Sequence, residues 1–542
     1  MRRLPSLACG IAAALALLSP GLAVAHPDTG HSAPATPASQ QAPSGVWYEI
    51  FVRSWYDTNG DGIGDLDGVT AKLDYLKSLG VSGIWLMPIN PSPSYHGYDI
   101  TDYYGINPQY GTMADFQRLL DAAHKRGIKV IMDMVINHSS NESPWFKAAL
   151  DPHSPYHDWY SWADRYTDVD TLSATGVTAW HTTGDQPDPG QPDSEQPDSE
   201  QHYLGIFAPT MPDLNYDNPA VRAEMIKVGQ YWLKKGVDGF RLDAAQHIYD
   251  NLQSDMDDPV ALAKNLAWWN EYRRGLDAVN PHAYLVGEVT RPVATELAPY
   301  FKPLDAVFNF PLAVQLIDSA RRERNLDLAV TLEHTYASYR AADGGQLRDA
   351  PFLSNHDQER VMSQLGDNPQ RMRMAAAMLL TLPGEPYIYY GEELGMRGEK
   401  PDEALREPMR WQSAPDAKGT TSWEPSTSGN GPAVSVEAEQ ADPHSLLSYY
   451  TMLIHWRSEI GALRDGGFRV YPEANDHLVA WQRTAAQGTV LVVHNLSSQT
   501  QSMPLDVPGE PHFDKLLRQT DSGAEVHGDH VELPPYSSVI LQ

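Results

Sequence analysis

From Val46 onward, the chain alternates between short, continuous apolar runs and amphipathic stretches. Continuous apolar runs are typical of parallel strands that are covered on both faces. The amphipathic stretches at 69–80, 116–127 and 219–236 each end at a glycine, as a helix with a left-handed C-cap does. Eight strands that alternate with helices predict an α/β fold of the (β/α)8 TIM-barrel type, and a doubly wound open sheet is the alternative. The predicted strands are residues 46–51, 83–88, 129–135, 239–245, 283–289, 305–310, 350–357 and 386–391.

Two stretches interrupt this alternation. The third predicted strand is followed by a segment that is too long for a loop, which predicts a small inserted domain. After a helical stretch at 444–463, strands with alternating apolar and polar positions predict a C-terminal antiparallel β-sandwich. The predicted domains are the first part of the barrel at 45–138, the insertion at 139–213, the second part of the barrel at 214–465 and the sandwich at 466–542.

The N-terminal segment has the features of an export signal. It carries two arginines, an apolar run at 11–18 and the small residues Ala-Val-Ala just before His26. This pattern predicts a secretory signal peptide over 1–25, and the polar stretch 26–44 predicts a disordered leader. The only cysteine of the sequence, Cys9, lies inside the signal peptide, so the mature chain has no disulfide. We therefore expect a secreted or periplasmic protein.

The net charge argues against two classes of binding partner, nucleic acids and anionic membranes. The chain has 70 acidic and 40 basic residues, a net charge of -30. Such a surface repels nucleic acid and anionic membranes, and it favours neutral or cationic ligands. No run after the signal peptide is apolar over the ~18 residues that a membrane span needs. We expect no nucleic-acid partner, no membrane association after signal cleavage, and a monomer.

Charged residues stand at the carboxyl ends of the predicted strands, where a barrel of this type assembles its active site. Asp243, Glu288 and Asp357 come from three different strands, so their carboxyl groups are expected to meet at one mouth. Two of them have a structural alternative, since Asp243 could pair with Arg241 and Asp357 could cap a helix. Glu288 lies between apolar residues and is expected to have a raised pKa. Two carboxyl groups that flank one bond are the equipment of glycoside hydrolysis.

Five ordered motifs carry a family resemblance. They are DMVINH at 133–138, MPDLN at 211–215, GFRLDAAQH at 239–247, GEV at 287–289 and FLSNHD at 352–357. In this order and spacing they resemble the motifs of the α-amylase superfamily, glycoside hydrolase family 13. The resemblance implies a retaining hydrolase that acts on an α-glucan or maltooligosaccharide substrate, with the insertion as domain B and the sandwich as domain C.

The resemblance also assigns chemical roles to matching positions. Asp243 would be the nucleophile that forms a covalent glycosyl-enzyme intermediate. Glu288 would protonate the leaving oxygen and then activate water. Asp357 would stabilise the distorted, oxocarbenium-like sugar. Arg241 would keep Asp243 ionised, because a nearby cation lowers the pKa of a carboxylate.

Substrate contacts are implied at four further positions. Tyr98 would stack beneath the sugar that is cleaved, and His138 and His356 would hydrogen-bond its hydroxyls. Asp99 matches an acid that binds the terminal glucose in oligosaccharide-acting members of the family. Ala244, directly after the nucleophile, resembles enzymes that cut α-1,4 bonds, so an α-amylase is expected. An α-glucosidase, a transglycosylase such as a trehalose synthase, and an inactive barrel that binds sugars are the alternatives.

The stretch DTNGDGIGDLDG at 57–68 begins as a calcium-binding EF-hand loop does, but Gly68 stands where the closing glutamate would be. The same loop binds calcium in several relatives within the family, and the resemblance implies a structural Ca²⁺ here. A polar turn without an ion is the alternative. A second ion near Asn137, Asp213 and the carbonyl of His247 is also implied. The implied ligands of the first ion are Asp57, Asn59, Asp61, the carbonyl of Ile63, and Asp65.

Overall fold

The computed structural model describes residues 45–183, 201–342, 344 and 349–542, so the predicted signal peptide and leader lie outside the described residues. The strands are β1 Trp47–Ile50, β2 Gly83–Leu86, β3 Lys129–Met134, β4 Trp180–Thr182, β5 His202–Leu204, β6 Gly239–Leu242, β7 Tyr284–Gly287, β8 Ala306–Val307, β9 Tyr387–Tyr389, β10 Gly467–Val470, β11 Leu478–Ala485, β12 Gly488–Asn495, β13 Gln501–Pro504, β14 Leu516–Gln519, β15 Glu525–Val526, β16 His530–Leu533 and β17 Ser537–Leu541. The α-helices are α1 Val52–Trp55, α2 Leu66–Ala71, α3 Leu73–Leu79, α4 Met113–Lys125, α5 Pro144–Ala149, α6 Pro219–Lys235, α7 Pro259–Asp277, α8 Phe310–Arg322, α9 Leu328–Ala342, α10 Val361–Gln364, α11 Pro369–Thr381, α12 Asp402–Leu405, α13 Val436–Gln440, α14 Leu446–Glu459 and α15 Gly461–Asp465. Short 3-10 helices lie at His157–Trp159, Ala294–Phe301 and Glu392–Leu394.

Parallel strands form the barrel that the apolar runs predict. The strand order is β8-β7-β6-β3-β2-β1-β9, and every pairing within this sheet is parallel. Its two edges meet through the segment 349–352. The Ala350 N–H donates to the Val307 carbonyl at 3.2 Å, and the Tyr387 N–H donates to the Pro351 carbonyl at 2.9 Å. This segment takes the place of the missing strand, so the (β/α)8 TIM barrel is confirmed and the open sheet is wrong.

Helix ends follow local sequence signals. Gly80 and Gly236 adopt left-handed backbone conformations, with φ of 96° and 104°, at the C-caps of α3 and α6. The helix predicted at 69–80 is two helices, α2 and α3, and it begins earlier than predicted. The reason is Asp65, which caps α2 by accepting the Gly68 N–H at 2.7 Å. No helix in the described ranges is long and apolar enough to cross a membrane.

Between β3 and β6 the chain leaves the barrel and returns to it. Within this excursion β4 pairs with β5 in a small antiparallel sheet. Its two ends come together at a bridge between His138 and Asp213, and the Leu214 N–H donates to the Asn137 carbonyl at 2.9 Å. Because Asn137 and His138 follow β3 directly, the excursion stands at the carboxyl ends of the barrel strands.

The C-terminal strands form the predicted antiparallel sandwich. One sheet has the order β10-β11-β12-β17-β14, and the other has the order β13-β16-β15. Apolar side chains from both sheets, including Leu491 and Val539 of the first and Met503 and Val531 of the second, share one buried cluster. Cluster formation across two sheets is how a sandwich buries its inner faces.

Two buried arginines cap the end of helix α11, and one of them comes from the sandwich. Helix α11 ends at Thr381, and the last carbonyls of a helix need donors from outside it. Arg483 on β11 donates to the Thr381 carbonyl at 2.6 Å. Arg457 on α14 donates to the carbonyls of Leu380 and Leu382 at 3.2 and 2.5 Å. The end of a barrel helix is therefore capped in part by a side chain of the sandwich.

Candidate active site

The guanidinium of Arg241 lies at the centre of the barrel mouth. Arg241 is 1% exposed and sits on β6, where it pairs in register with Asp133 on β3. Its Nη1 donates to Asp133 Oδ1 at 3.0 Å and to Asp243 Oδ1 at 2.6 Å, and its Nη2 lies 2.7 Å from Glu288 Oε2. A buried cation is tolerated only when it is paired, and this one is paired with three carboxylates from three adjacent strands.

The backbone after β6 holds two of these carboxylates in place. Ala244 has a φ of 47°, in the left-handed region that is unusual for a residue with a side chain. In this conformation the Ala244 N–H donates to Glu288 Oε2 at 2.9 Å. Burial raises the pKa of Asp243 and of Glu288, and the Arg241 cation opposes the rise in both. The raised pKa expected for Glu288 from its apolar neighbours agrees in direction with the structure.

A second chain of charges runs through His356 on the opposite side of the mouth. His356 is fully buried, its Nδ1 lies 2.6 Å from Glu49 Oε1, and its Nε2 lies 3.0 Å from Asp357 Oδ2. Burial alone lowers the pKa of an imidazole, but the charges of Asp357 and Glu49 raise the pKa of His356 to about 10. At neutral pH the ring is therefore an imidazolium that donates from both nitrogens.

Asp357 is the carboxylate that faces solvent in this group. Its side chain is 46% exposed, and its Oδ1 accepts a hydrogen bond from Arg406 Nη2 at 2.9 Å. Desolvation raises the pKa of Asp357, but the His356 and Arg406 cations outweigh it and hold the pKa below its usual range. Asp357 is thus kept ionised while Glu288, across the mouth, is pushed toward protonation.

Tyr98 and His138 complete the floor of the mouth, where His138 is buried and Tyr98 is half-buried. The Tyr98 hydroxyl donates to Asp133 Oδ2 at 3.1 Å and lies 2.6 Å from His356 Nε2, and its ring stacks on that of His356 at 5.5 Å. His138 Nε2 lies 3.1 Å from the Tyr98 carbonyl, while its buried Nδ1 has no hydrogen-bond partner among the described residues. Burial lowers the pKa of His138 to about 4, so the ring is neutral and Nδ1 is available to a ligand hydroxyl.

Asp99 lies apart from this network. It is 4% exposed, and its Oδ1 accepts hydrogen bonds from the hydroxyls of Ser92 and Ser94. The structure therefore brings Tyr98, His138, Arg241, Asp243, Glu288, His356 and Asp357 into one connected group, and it gives Asp99 a separate set of partners.

The loop at 57–68 turns its carboxylates onto its own backbone. Asp57 Oδ1 accepts the Gly60 N–H at 2.6 Å, and Oδ2 accepts the Gly62 N–H at 2.8 Å. Asp65 has both oxygens engaged, one with the cap of α2 and the other with Thr58. The carboxylates of Asp57, Asp61 and Asp65 do not gather on one point, since the described residues contain one group with three such donors within 4.8 Å and it lies elsewhere. The loop supplies only oxygen donors, the type that Ca²⁺ prefers.

Two residues of the mouth are absent from the sequence-based set. Glu49 is the only acid in strand β1, WYEI, whose four residues are all buried. Its position in the sequence could have marked it as a site residue, because an acid in a buried strand needs a partner. Arg406 lies after the last barrel strand, and nothing in its local sequence indicates that it reaches Asp357.

Two carboxyl groups that contact one guanidinium at the mouth of a TIM barrel are the equipment of a glycoside hydrolase. Comparison with known families gives the family itself. The model for the alpha amylase catalytic domain matches residues 49–466, and the chain belongs to this family, glycoside hydrolase family 13. The model for the alpha-amylase SusG C-terminal domain matches residues 478–540.

Individual relatives extend over nearly the whole chain. Alpha-amylase 3 of Dictyoglomus thermophilum is 38% identical, with 92% of this chain and 93% of that protein covered. Trehalose synthase/amylase TreS of Mycolicibacterium smegmatis is 33% identical, with 89% of each chain covered. Among solved structures, the alpha-amylase from H. orenii is 42% identical with a TM-score of 0.81, and covers 92% of this chain and 99% of its own.

Proposed function

We propose that this protein is a secreted, retaining α-amylase that cleaves α-1,4-glucosidic bonds in starch and maltooligosaccharides. The observation that carries the proposal is the shared guanidinium of Arg241, which contacts Asp243 at 2.6 Å and Glu288 at 2.7 Å. Because both carboxyl groups contact one guanidinium, they lie near one another at the barrel mouth, as the two acids that flank a glycosidic bond must.

The two carboxyl groups take different parts in the reaction. Glu288, whose pKa is raised by burial, donates its proton to the glycosidic oxygen as the bond to the anomeric carbon breaks. Asp243 attacks the anomeric carbon and forms the covalent glycosyl-enzyme. Glu288, now a carboxylate, takes a proton from water, and the resulting hydroxide displaces Asp243 and releases the product.

The other polar groups bind and distort the sugar. Asp357, held ionised by His356 and Arg406, stabilises the positive charge that develops on the ring in the transition state. His138 Nδ1 hydrogen-bonds a hydroxyl of the same sugar, and Tyr98 stacks beneath it. His356 Nε2 contacts a sugar hydroxyl only if that hydroxyl replaces Tyr98 or Asp357 as its partner. Asp99 would bind a terminal glucose through Oδ2, since the serine hydroxyls donate to Oδ1.

Asp243→Asn tests the nucleophile. The substitution should lower the rate of starch hydrolysis by at least about 10³-fold, because the amide cannot form the ester intermediate. Asp318→Asn, at a partly exposed acid of α8 that pairs with Arg321, is the matched control and should leave the rate unchanged. Thermal melting of both variants checks the fold. Substantial hydrolysis by a folded Asp243→Asn protein would mean that the nucleophile is another residue.

A transglycosylase such as a trehalose synthase is the second candidate. It is favoured by the similarity to a protein named trehalose synthase/amylase, which extends over 89% of this chain. The two functions differ in their products. Incubation with maltose, maltoheptaose and starch, followed by separation of the products over time, should give shorter linear maltooligosaccharides and no trehalose. Net conversion of maltose to trehalose, or release of glucose alone from starch, would refute the α-amylase proposal.

We also propose that the loop at 57–68 binds a structural Ca²⁺ through Asp57, Asn59, Asp61 and the carbonyl of Ile63. The all-oxygen donor set supports this proposal. An ion there would also stabilise a tertiary contact, because the N–H groups of Ser422 and Trp423 donate to the Gly62 carbonyl of the loop at 2.8 and 3.1 Å. Asp65 would act from the edge of the site, since it also caps α2.

Chelation tests the calcium proposal without reference to activity. EDTA should lower the melting temperature of the mature protein, because an ion that binds only the folded state stabilises it. When CaCl₂ alone is returned to the metal-free protein, the wild type should regain melting temperature. Asp61→Ala should melt lower and lose this calcium-dependent gain, whereas Asp67→Ala, an exposed acid at the end of the same loop, should keep it. A wild-type melting curve that EDTA leaves unchanged would make the loop a polar turn.

A further inference from the structure

The hairpin β15–β16 of the sandwich presents four metal-ligating side chains on one face. In its register Glu525 lies opposite Glu532, and Val526 lies opposite Val531. Val531 is buried in the sandwich core and Val526 packs against the same cluster. Because side chains alternate along a strand, Glu525 and Glu532 point outward. His527 and His530 flank the turn, two residues from each glutamate, in the sequence EVHGDHVE.

These side chains already approach one another. The donor atoms of His527, His530 and Glu532 all lie within 4.8 Å of each other, the one such group of three in the described part of the chain. The two imidazole rings are 5.1 Å apart, and His527 Nε2 lies 3.4 Å from Glu525 Oε2. Ligand atoms around a tetrahedral Zn²⁺ are about 3.3 Å apart, given bonds of roughly 2.0–2.1 Å. The exposed side chains therefore need only small rotations to close on an ion.

Two features of the hairpin favour a cation. Like charges directly opposite on neighbouring strands destabilise a sheet, and Glu525 and Glu532 occupy such a pair. In addition, His530 Nδ1 lies 2.8 Å from Asp529 Oδ1. A carboxylate on one ring nitrogen fixes the tautomer and leaves the other nitrogen as a ligand, the arrangement that supports zinc-bound histidines.

We propose that this hairpin is a binding site for a transition-metal cation of the zinc type, held by His527, His530, Glu532 and Glu525. Two imidazoles with carboxylates suit Zn²⁺, and Ni²⁺ or Cu²⁺ by the same chemistry, whereas Ca²⁺ takes oxygen ligands. The site differs in ion chemistry from the loop at 57–68 and stands independently of the enzyme's activity. Asp529 acts as a positioning residue for His530.

The test is calorimetric titration of the metal-free mature protein with ZnCl₂ at neutral pH in excess CaCl₂, together with thermal melting. We expect saturable binding of one Zn²⁺ per chain and a higher melting temperature. His527→Ala and His530→Ala should each weaken binding at least about tenfold, and Asp529→Asn should weaken it about 10-fold or more through the second ring nitrogen.

His512→Ala, an exposed histidine of the same sandwich, is the control and should bind as the wild type does. Because all of these side chains are at the surface, the variants are expected to fold, and their melting curves without zinc check this. Absence of zinc binding by the wild type, or equal binding by the His527 and His530 variants, would overturn the proposal.

Discussion

Glu49→Gln tests whether the catalytic mouth depends on a charge that never touches the substrate. Glu49 is 2% exposed on β1, and its carboxylate lies 2.6 Å from His356 Nδ1. Glutamine has the same shape and keeps an acceptor oxygen, but it removes the negative charge. Since Glu49 is one of the two acids that raise the pKa of His356, that pKa should fall in the variant.

The size of the effect follows from the contact. A hydrogen bond to a charged group contributes about 1.5–3 kcal/mol and a neutral one about 1 kcal/mol. The substitution therefore weakens the interaction that positions His356 by roughly 1 kcal/mol or more. A change of 1.4 kcal/mol in the activation free energy corresponds to about tenfold in rate. We expect kcat/KM for a maltooligosaccharide to fall about tenfold. Most of the loss should be in kcat, because His356 also lies beside Asp357, which acts on the transition state.

The assay combines kinetics with a direct view of the ring. Histidine labelled with ¹⁵N should show a His356 resonance that stays protonated to about pH 10 in the wild type and titrates at lower pH in the variant, with His356→Gln used to assign it. Glu393→Gln, also a buried acid near the end of the barrel, bonds to Tyr48 and Tyr75 and serves as the control. Unchanged kinetics and an unchanged His356 titration in a folded Glu49→Gln protein would refute the reasoning.

Further predictions concern pH, stability and the second ion. Because burial raises the pKa of Glu288, the alkaline limb of kcat/KM should lie above the ordinary carboxyl range, and a limb near pH 4.5 would contradict its role as the acid. Arg483→Met should lower the free energy of unfolding in urea by about 3 kcal/mol, because buried carbonyls lose their donor; a change within error would show that the contact is dispensable. Burial raises the pKa of Asp213 well above its usual range, so its ionisation costs stability as pH rises above the ordinary carboxyl pKa. In EDTA, Asp213→Asn should therefore be more stable than the wild type at pH 7 by about 1 kcal/mol, and lower stability would show that the hydrogen bonds from Asn137 and the Ile206 N–H outweigh the cost of burying the charge.

The sequence predicts the fold wherever burial or backbone conformation restricts the type of residue at a position. Continuous apolar runs marked the barrel strands because both faces of each strand are covered, and Gly80 and Gly236 marked helix ends because left-handed caps favour glycine. The strand around Ala350 was predicted although it makes little regular pairing, since its apolar residues still fill the barrel. Helix α2 began earlier than predicted because a single side chain, Asp65, caps it.

The site was only partly readable, for a physical reason. Residues at strand ends could be placed at the mouth by topology alone, and Asp243 and Glu288 were found in this way. The residues that control the charge states of His356 and Asp357 reach them only through tertiary contacts. Glu49 and Arg406 are separated from His356 and Asp357 by long stretches of chain, and only the closed barrel brings them within hydrogen-bond distance.

The capping of α11 by Arg483 sets a limit on rearranging this protein. When the barrel is expressed alone, the Thr381 carbonyl loses its donor from the sandwich and is left to water, while the carbonyls of Leu380 and Leu382 keep Arg457 of α14. A C-terminal module taken from another enzyme would restore this cap only if one of its strands placed an arginine where its guanidinium could donate to the Thr381 carbonyl. Strand β11 of the sandwich thus takes part in ending a barrel helix, so a change of the sandwich also changes the barrel.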